Sequence, residues 1–315
     1  MSRHNRRRTR SRKRKSTRRN KRLYGGSEFD ESKVTYVCSR SILKSCDVFS
    51  ANDASSTKTT AVDVSAIKDG SVVYVTGSAV PDFAGKMGSI NAKFILVSGD
   101  CDESIPDDIF PSDDAFKEFI ESDKIIHWFS QNTVKDHPKL SKIPIGVDYH
   151  SITAVTPVDQ EKELIGIKNA ARPLAERKPL CYSNFHINKD GKKFTSDRDA
   201  AIGGVPKDLV FYEPGKVSRT DTWNHQAEYA FILSPHGNGL DCHRTWEALC
   251  LGSIPVVKTS PLDPLYDELP VLIVKEWSDV TKEMLEETLR KYSTKTWNMD
   301  RITLKYWMDL IRSKK

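Results

Sequence analysis

Between residues 231 and 257 two apolar runs, FILSP and SIPVV, bracket His236, Gly237, Asn238, Gly239, Asp241, His243, Arg244 and Glu247. An apolar run of this composition reads as a buried strand, and ligands of open α/β sheets gather at the carboxyl ends of strands. Gly237 and Gly239 permit close approaches that a side chain would block. A helix capped by Asp241 would turn unpaired N–H groups and a positive dipole end toward the loop, which suits a phosphate. Arg244, in its first turn, can fork onto phosphate oxygens, and an anion there relieves the strain of a cation at a helix N-terminus. Glu247 lies one turn beyond His243 on the same face and suits a pair of sugar hydroxyls. Two plainer readings compete. His236, His243 and Glu247, with Cys242 nearby, could ligate zinc, although the spacing is not HExxH. Arg244 and Glu247 could be no more than an i,i+3 salt bridge.

A second strand end, ILVSGDCDES, carries Asp100 and Asp102. These read as ordinary turn carboxylates, or as a pair spaced to share a metal.

The elements that must hold these groups follow from short apolar runs with turn residues behind them. KVTYVCS, SVVYVTG, KFILVSG and KIIHWFS are rich in Val, Ile, Phe and Tyr and do not alternate, as expected of parallel strands buried on both faces. SDDAFKEFIES reads as a helix with Ser112 or Asp113 at its N-cap. A polar stretch from residue 151 to 178 reads as a connector with one helix. A second series of strands follows, PLCYSNF, DLVFYEP, YAFILSP, SIPVVK and VLIVKE. Helices are expected between them at TDTWNHQAEY, DCHRTWEALCLG and LDPLYDEL, and two more near 280–293 and 300–313. In the last, Ile302, Tyr306, Leu310 and Trp307 are expected to share the buried face. The fold class is α/β, with two Rossmann-like, doubly wound domains facing a cleft. The division is residues 1–30 as an arm, 31–150 as the N-terminal domain and 151–315 as the C-terminal domain.

Charge is spread unevenly over the 315 residues. Residues 3–22 hold 13 of the 49 Lys and Arg and no acid, so the rest carries 36 basic against 43 acidic residues. The net charge of +6 therefore belongs to the arm. Without apolar residues to bury, such a run is expected to be disordered, and it suits polyanion binding, nuclear targeting or mere solubilisation. It lacks the apolar core of a secretory signal, and no run approaches the ~20 apolar residues of a membrane span, so no membrane partner is expected. Six cysteines without a CxxC pair fit a reducing compartment.

The segment SPHGNGLDCHRTWEALCLGSIPVV resembles the donor-binding segment of GT-B glycosyltransferases, the exostosin-like ones in particular. PLCYSNFHINKDGKKFTSDRDAAI and KIPIGVDYHSI are similar to the start of their C-terminal domain and the end of their N-terminal domain. The resemblance covers roughly residues 124–260. It implies a nucleotide-sugar donor in the C-terminal domain, with Glu247 on the ribose and Arg244 and the loop amides on the diphosphate. It also turns Asn184, Asn188, Arg198, His236 and Asn238 toward the donor. A carbohydrate or glycoprotein acceptor would sit in the N-terminal domain, with Asp100 or His127 as the base on its hydroxyl. The classical retaining members carry two glutamates across this loop, and here only Glu247 is present, which favours inversion. The resemblance implies no metal and no cofactor beyond the donor itself, the leaving charge being met by helix dipole, loop amides and Arg244. A soluble member with a basic arm fits a cytoplasmic setting, such as the host cytoplasm or particle of a large virus. The competing class is a non-catalytic nucleic-acid-associated protein that works through its arm; a third is a degenerate transferase that binds the donor without turnover.

Overall fold

A computed structural model describes residues 29–186 and 193–315. The basic run of residues 3–22, nearly all of the expected arm, and Asn188 lie outside the described residues. In chain order the elements of the first half are α1 (Ser39–Ser45), β1 (Ser71–Thr76), α2 (Val80–Lys86), β2 (Phe94–Gly99), α3 (Asp113–Ile120), β3 (Ile125–Ser130) and β4 (Leu140–Lys142). The connector is α4 (Pro157–Ala170). The second half follows as β5 (Lys178–Ser183), α5 (Thr195–Gly204), β6 (Val210–Tyr212), α6 (Arg219–Glu228), β7 (Tyr229–Leu233), α7 (His243–Cys250), β8 (Ile254–Lys258), β9 (Leu272–Val274), α8 (Lys282–Tyr292) and α9 (Leu304–Arg312). Ser112 caps α3, its Oγ accepting from the Ala115 N–H at 3.2 Å, as the sequence predicts.

Both sheets are wholly parallel. The first runs β1-β2-β3-β4, in sequence order. Right-handed crossovers in such a sheet put the connecting helices on one face. Accordingly Val73, Val75, Leu96 and Trp128 pack under α2 and α3, through Phe83, Phe116 and Phe119. Val72, Tyr74, Ile95, Val97 and Phe129 point the other way, and no crossover covers them. That face is closed from both ends of the described chain, by Ile42 and Leu43 of α1 and by Trp307, Met308 and Ile311 of α9. The last helix thus returns to the N-terminal sheet. Thr303 bridges Tyr36, and the Leu304 N–H donates to Thr35 O at 2.8 Å.

The second sheet runs β6-β5-β7-β8-β9. The order reverses between β5 and β7, whose helices therefore leave on opposite faces, opening a crevice at the carboxyl ends of these two strands.

Four expectations differ from the structure. The first half is not doubly wound, because its strands follow in sequence order and α2 and α3 share one face of the sheet. KVTYVCS is not a sheet strand. Its amides go to separate partners: those of Thr35 and Tyr36 to the buried Glu161 carboxylate, and that of Val37 to Ile302 O. LDPLYDEL holds only a 3₁₀ turn, Asp263–Tyr266. In the last helix the buried stripe is Leu304, Trp307, Met308 and Ile311, with Leu310 exposed. The helix starts at Leu304 behind a Thr303 cap, so Ile302 lies outside its phase, in the preceding 3₁₀ turn.

Glu161 of α4 is a second tie between the halves, since it accepts from Thr35, Tyr36 and the Tyr149 hydroxyl. One core cluster also runs from the open face of the first sheet to Trp223, Trp246 and Leu249. With a shared core, Ile311→Ala is expected to lower stability by about 2–5 kcal/mol. Urea denaturation followed by tryptophan fluorescence should show one transition for wild type and variant alike. Two separated transitions would contradict a common core.

Candidate functional site

A cavity of about 380 Å³ opens at the reversal point of the second sheet. Its walls are Asn184–His186 behind β5, Gly215–Val217 behind β6, the first turns of α6 and α7, Arg198 of α5, and Asp148 and Ile152 from the end of the N-terminal half. Of the residues expected at a donor site it therefore gathers Asn184, Arg198, Arg244 and Glu247. His236, Gly237, Asn238 and Gly239 do not line it.

The glycine loop is committed to the protein itself. A Cβ on Gly239 would stand 3.0 Å from both Asn132 Nδ2 and Asp102 O, so glycine lets the loop lie against the turn behind β2. Gly237 lies against Arg198 and Cys242. His236 donates its N–H to Asp197, accepts Arg198 Nε at its carbonyl, and uses Nδ1 on Leu240 O. It is a brace for the loop. Asp241 does not cap α7; the N-cap is Cys242, without a side-chain cap bond. The buried Asp241 carboxylate instead accepts from the Cys242 N–H, from Trp246 Nε1 and, across the halves, from the Ile145 N–H at 2.8 Å. The Asp241 N–H donates to Asn132 Oδ1 at 2.9 Å. The α7 N-terminus is thereby left without a side-chain cap, beside the cavity.

Arg244 reaches Ser234 Oγ and Pro235 O at 3.4 Å each, and its guanidinium lies 5.4 Å from the Phe185 ring centroid. Arg198 holds the carbonyls of His236 and His186. Burial lowers the Arg244 pKa; Arg198 pushes the same way, while Cys242 and Glu247 oppose. Among the described residues neither arginine has a carboxylate within ion-pair distance. The i,i+3 bridge between Arg244 and Glu247 is not formed. Glu247 is 9% exposed, and burial raises its carboxyl pKa against the pull of Arg219 and His243. Two adjacent guanidiniums with no ion-paired carboxylate among the described residues, beside a helix start without a side-chain cap, are arranged to attract an anion. A carboxylate one turn deeper can accept from hydroxyls.

The two residues expected to act as base stand elsewhere. Asp100, at φ +55°, is buried and ion-paired with Arg40 at 2.9 Å, their side chains only 5% and 3% exposed. It also accepts from Ser55 Oγ at 2.9 Å. Turned inward, it is committed to a cation. His127 sits in β3 against Phe129, its Nε2 2.8 Å from Ser141 Oγ, away from the cavity. The zinc grouping of His236, His243 and Glu247 is not assembled either. What the sequence reading missed is the chain end of the first half. Asp148, His150 and His243 come together, with ligand atoms within 4.8 Å of one another. The signal lay in DYH of KIPIGVDYHSI, where two polar groups two residues apart follow an apolar run.

All six cysteines are reduced, and five are buried. Among the described residues no helix is long and apolar enough to cross a membrane.

No family model matches this chain, the exostosin-like family included, and no curated protein matches it. Among solved structures it is similar to AviGT4, a glycosyltransferase involved in Avilamycin A biosynthesis. That similarity covers 75% of this chain and 88% of that one, at 12% identity and a TM-score of 0.28. A likeness of this size assigns neither family nor activity.

The position of His127 gives an acid-stability prediction. Burial pushes its pKa down to about 4, with Lys314, His137 and Lys139 adding to the effect. The unfolded chain, with an ordinary imidazole near ~6.5, binds more protons between these values. Its contribution to stability is thus present above pH ~6.5 and lost as pH falls toward 4. Chemical denaturation at pH 7 and pH 5 should show a smaller loss for His127→Gln than for wild type. Equal losses would mean that His127 does not contribute.

Proposed function

We propose that the chain is a glycosyltransferase of the GT-B type, moving a sugar from a nucleotide-sugar donor held by the second half to an acceptor hydroxyl. The observation that carries this reading is the pair Arg198 and Arg244, which meets no carboxylate among the described residues. The pair stands beside the uncapped start of α7 at the sheet's reversal point. A nucleoside diphosphate supplies the missing charge, and Glu247, deeper in the same cavity, accepts from ribose hydroxyls. Asn184, which donates to Thr222 Oγ1, keeps its carbonyl oxygen for the ligand. As the bond from sugar C1 to the diphosphate breaks, charge grows on the leaving oxygens. Fixed cations there stabilise that charge without reorganising. The acceptor would approach from the first half, and direct displacement would invert the anomeric centre.

Calorimetric titration with UDP, GDP and CMP tests the reading, with uridine, guanosine and cytidine as phosphate-free controls. One diphosphate should bind at least tenfold tighter than its nucleoside. Arg244→Ala should remove about 1.5–3 kcal/mol of the diphosphate's affinity and little of the nucleoside's. Glu247→Gln should weaken both. Failure of every nucleotide to bind would exclude a donor site here.

A further inference from the structure

Helix α6 turns one face to the cavity. Arg219, Thr222, Trp223 and Gln226, at i, i+3, i+4 and i+7, all line it. Helix α7 lines it with His243, Arg244 and Glu247. Both helices run antiparallel to the strands of a parallel sheet, so both start at the carboxyl ends of the strands and descend from there. Arg219 and His243 thus stand at the mouth. Trp223 and Glu247, each four residues on, stand one turn lower. The indole of Trp223 lowers the Glu247 pKa, as a neighbour at the same level should. Gln226 is the deepest of the set, about 10 Å along α6 from Arg219.

Gln226 is fully buried, and neither its Oε1 nor its Nε2 meets a hydrogen-bond partner among the described residues. Its backbone carbonyl is satisfied, accepting from Ser253 Oγ at 3.2 Å. A buried amide without a partner is costly. A ligand that brings both a donor and an acceptor relieves that cost.

The surroundings narrow the ligand. Glu247 and Gln226 Oε1 are acceptor oxygens, and they repel a phosphate, which belongs with Arg198 and Arg244. A nucleobase stacks on an open aromatic face. Of the cavity's indole and phenyl rings, Trp223 is fully buried and Phe185 has the Arg244 guanidinium against it at 5.4 Å. A hydroxyl fits better, because it donates to an oxygen and accepts from Nε2. Two neighbouring hydroxyls, as on a ribose, suit the carboxylate and the amide together.

We infer that Gln226 makes the cavity selective for a nucleotide that carries both ribose hydroxyls, holding the diol between the Glu247 carboxylate and its own amide. The inference rests on the nucleotide-sugar reading above. In a 2′-deoxy or 3′-deoxy nucleotide one hydroxyl is missing, and the buried amide stays unpaired. A site built to pair a hydroxyl rejects the analogue without it far more strongly than an apolar pocket rejects a missing methylene. The selection acts on the nucleoside and leaves the diphosphate to Arg198 and Arg244.

The test is calorimetric titration of the full chain with UDP, GDP and CMP, each beside its 2′-deoxy and 3′-deoxy counterparts. For whichever nucleotide binds, at least one deoxy form should bind about tenfold more weakly or worse. Gln226→Met, of similar size, should weaken the ribonucleotide about tenfold and leave that deoxy form within about twofold, so the preference disappears. Without ligand the variant should melt at the wild-type temperature or above, since it removes a buried amide that the fold does not pair. A variant that melts well below wild type would overturn the inference, because the amide would then belong to the fold. Wild type that binds ribo and deoxy forms within about twofold of each other would overturn it too, and leave the donor reading standing. So would a variant that loses affinity for both forms alike. If no nucleotide binds at all, the donor reading fails and the inference with it.

Discussion

The site hangs on one buried carboxylate. Asp241 lies in the loop between β7 and α7, against the segment that follows β4, and spends its oxygens on the Ile145, Cys242 and Trp246 donors. Its own amide is taken by Asn132. Through Ile145 it fixes the segment that carries Asp148 and His150. Through Cys242 and Trp246 it fixes the start and the buried face of α7, which carries His243, Arg244 and Glu247. Burial raises its pKa, against the pull of these donors. A group in that balance tolerates little change, since removing it would orphan three donors in the dry seam between the halves.

The charge of the cavity follows from which carboxylates are already engaged. Asp148 is matched to Arg219 and Asp100 to Arg40, each inside the protein. Among the described residues Arg198 and Arg244 are ion-paired with no carboxylate. Their carbonyl partners hold the guanidiniums in place without cancelling their charge, so the positive potential is present before any ligand binds. Glu247 is the one carboxylate that lines the cavity without an ion-pair partner among the described residues. Its depth suits neutral hydroxyls better than a phosphate.

Strands with dense apolar runs were legible from sequence because burial on both faces leaves no alternation to confuse them. SVVYVT, FILVSG, IIHWFS and YAFIL appear where expected. The segment 231–257 was legible as strand, loop and helix, and Arg244 and Glu247 fall on the cavity as their spacing indicated. The glycines were read as room for a ligand, but the room is used by Asp102, Asn132 and Arg198. No local pattern says which partner a glycine admits, because the partners lie some 40 to over 130 residues away in sequence. Asp100 and His127 failed for the same reason: the cation that claims Asp100 is Arg40, and the hydroxyl beside His127 is Ser141 of the neighbouring strand. Asp148 and His150 were hidden because their meaning depends on His243, which meets them only in three dimensions.

The return of α9 to the first sheet has a consequence for how the protein is made. A ribosome releases the chain from its N-terminus at ~5–20 residues per second, and N-terminal units generally fold first. Here the face of Val72, Tyr74, Ile95, Val97 and Phe129 lacks its Trp307 and Ile311 cover until α9 has been made. From the completion of β4 to the emergence of α9 the wait is on the order of ten seconds or more at those rates. Throughout it an apolar sheet face is only half covered by α1, and the second sheet assembles beside it. The nascent chain is therefore a natural client for a chaperone that shields apolar surface, and its first half acquires native packing only together with its last helix.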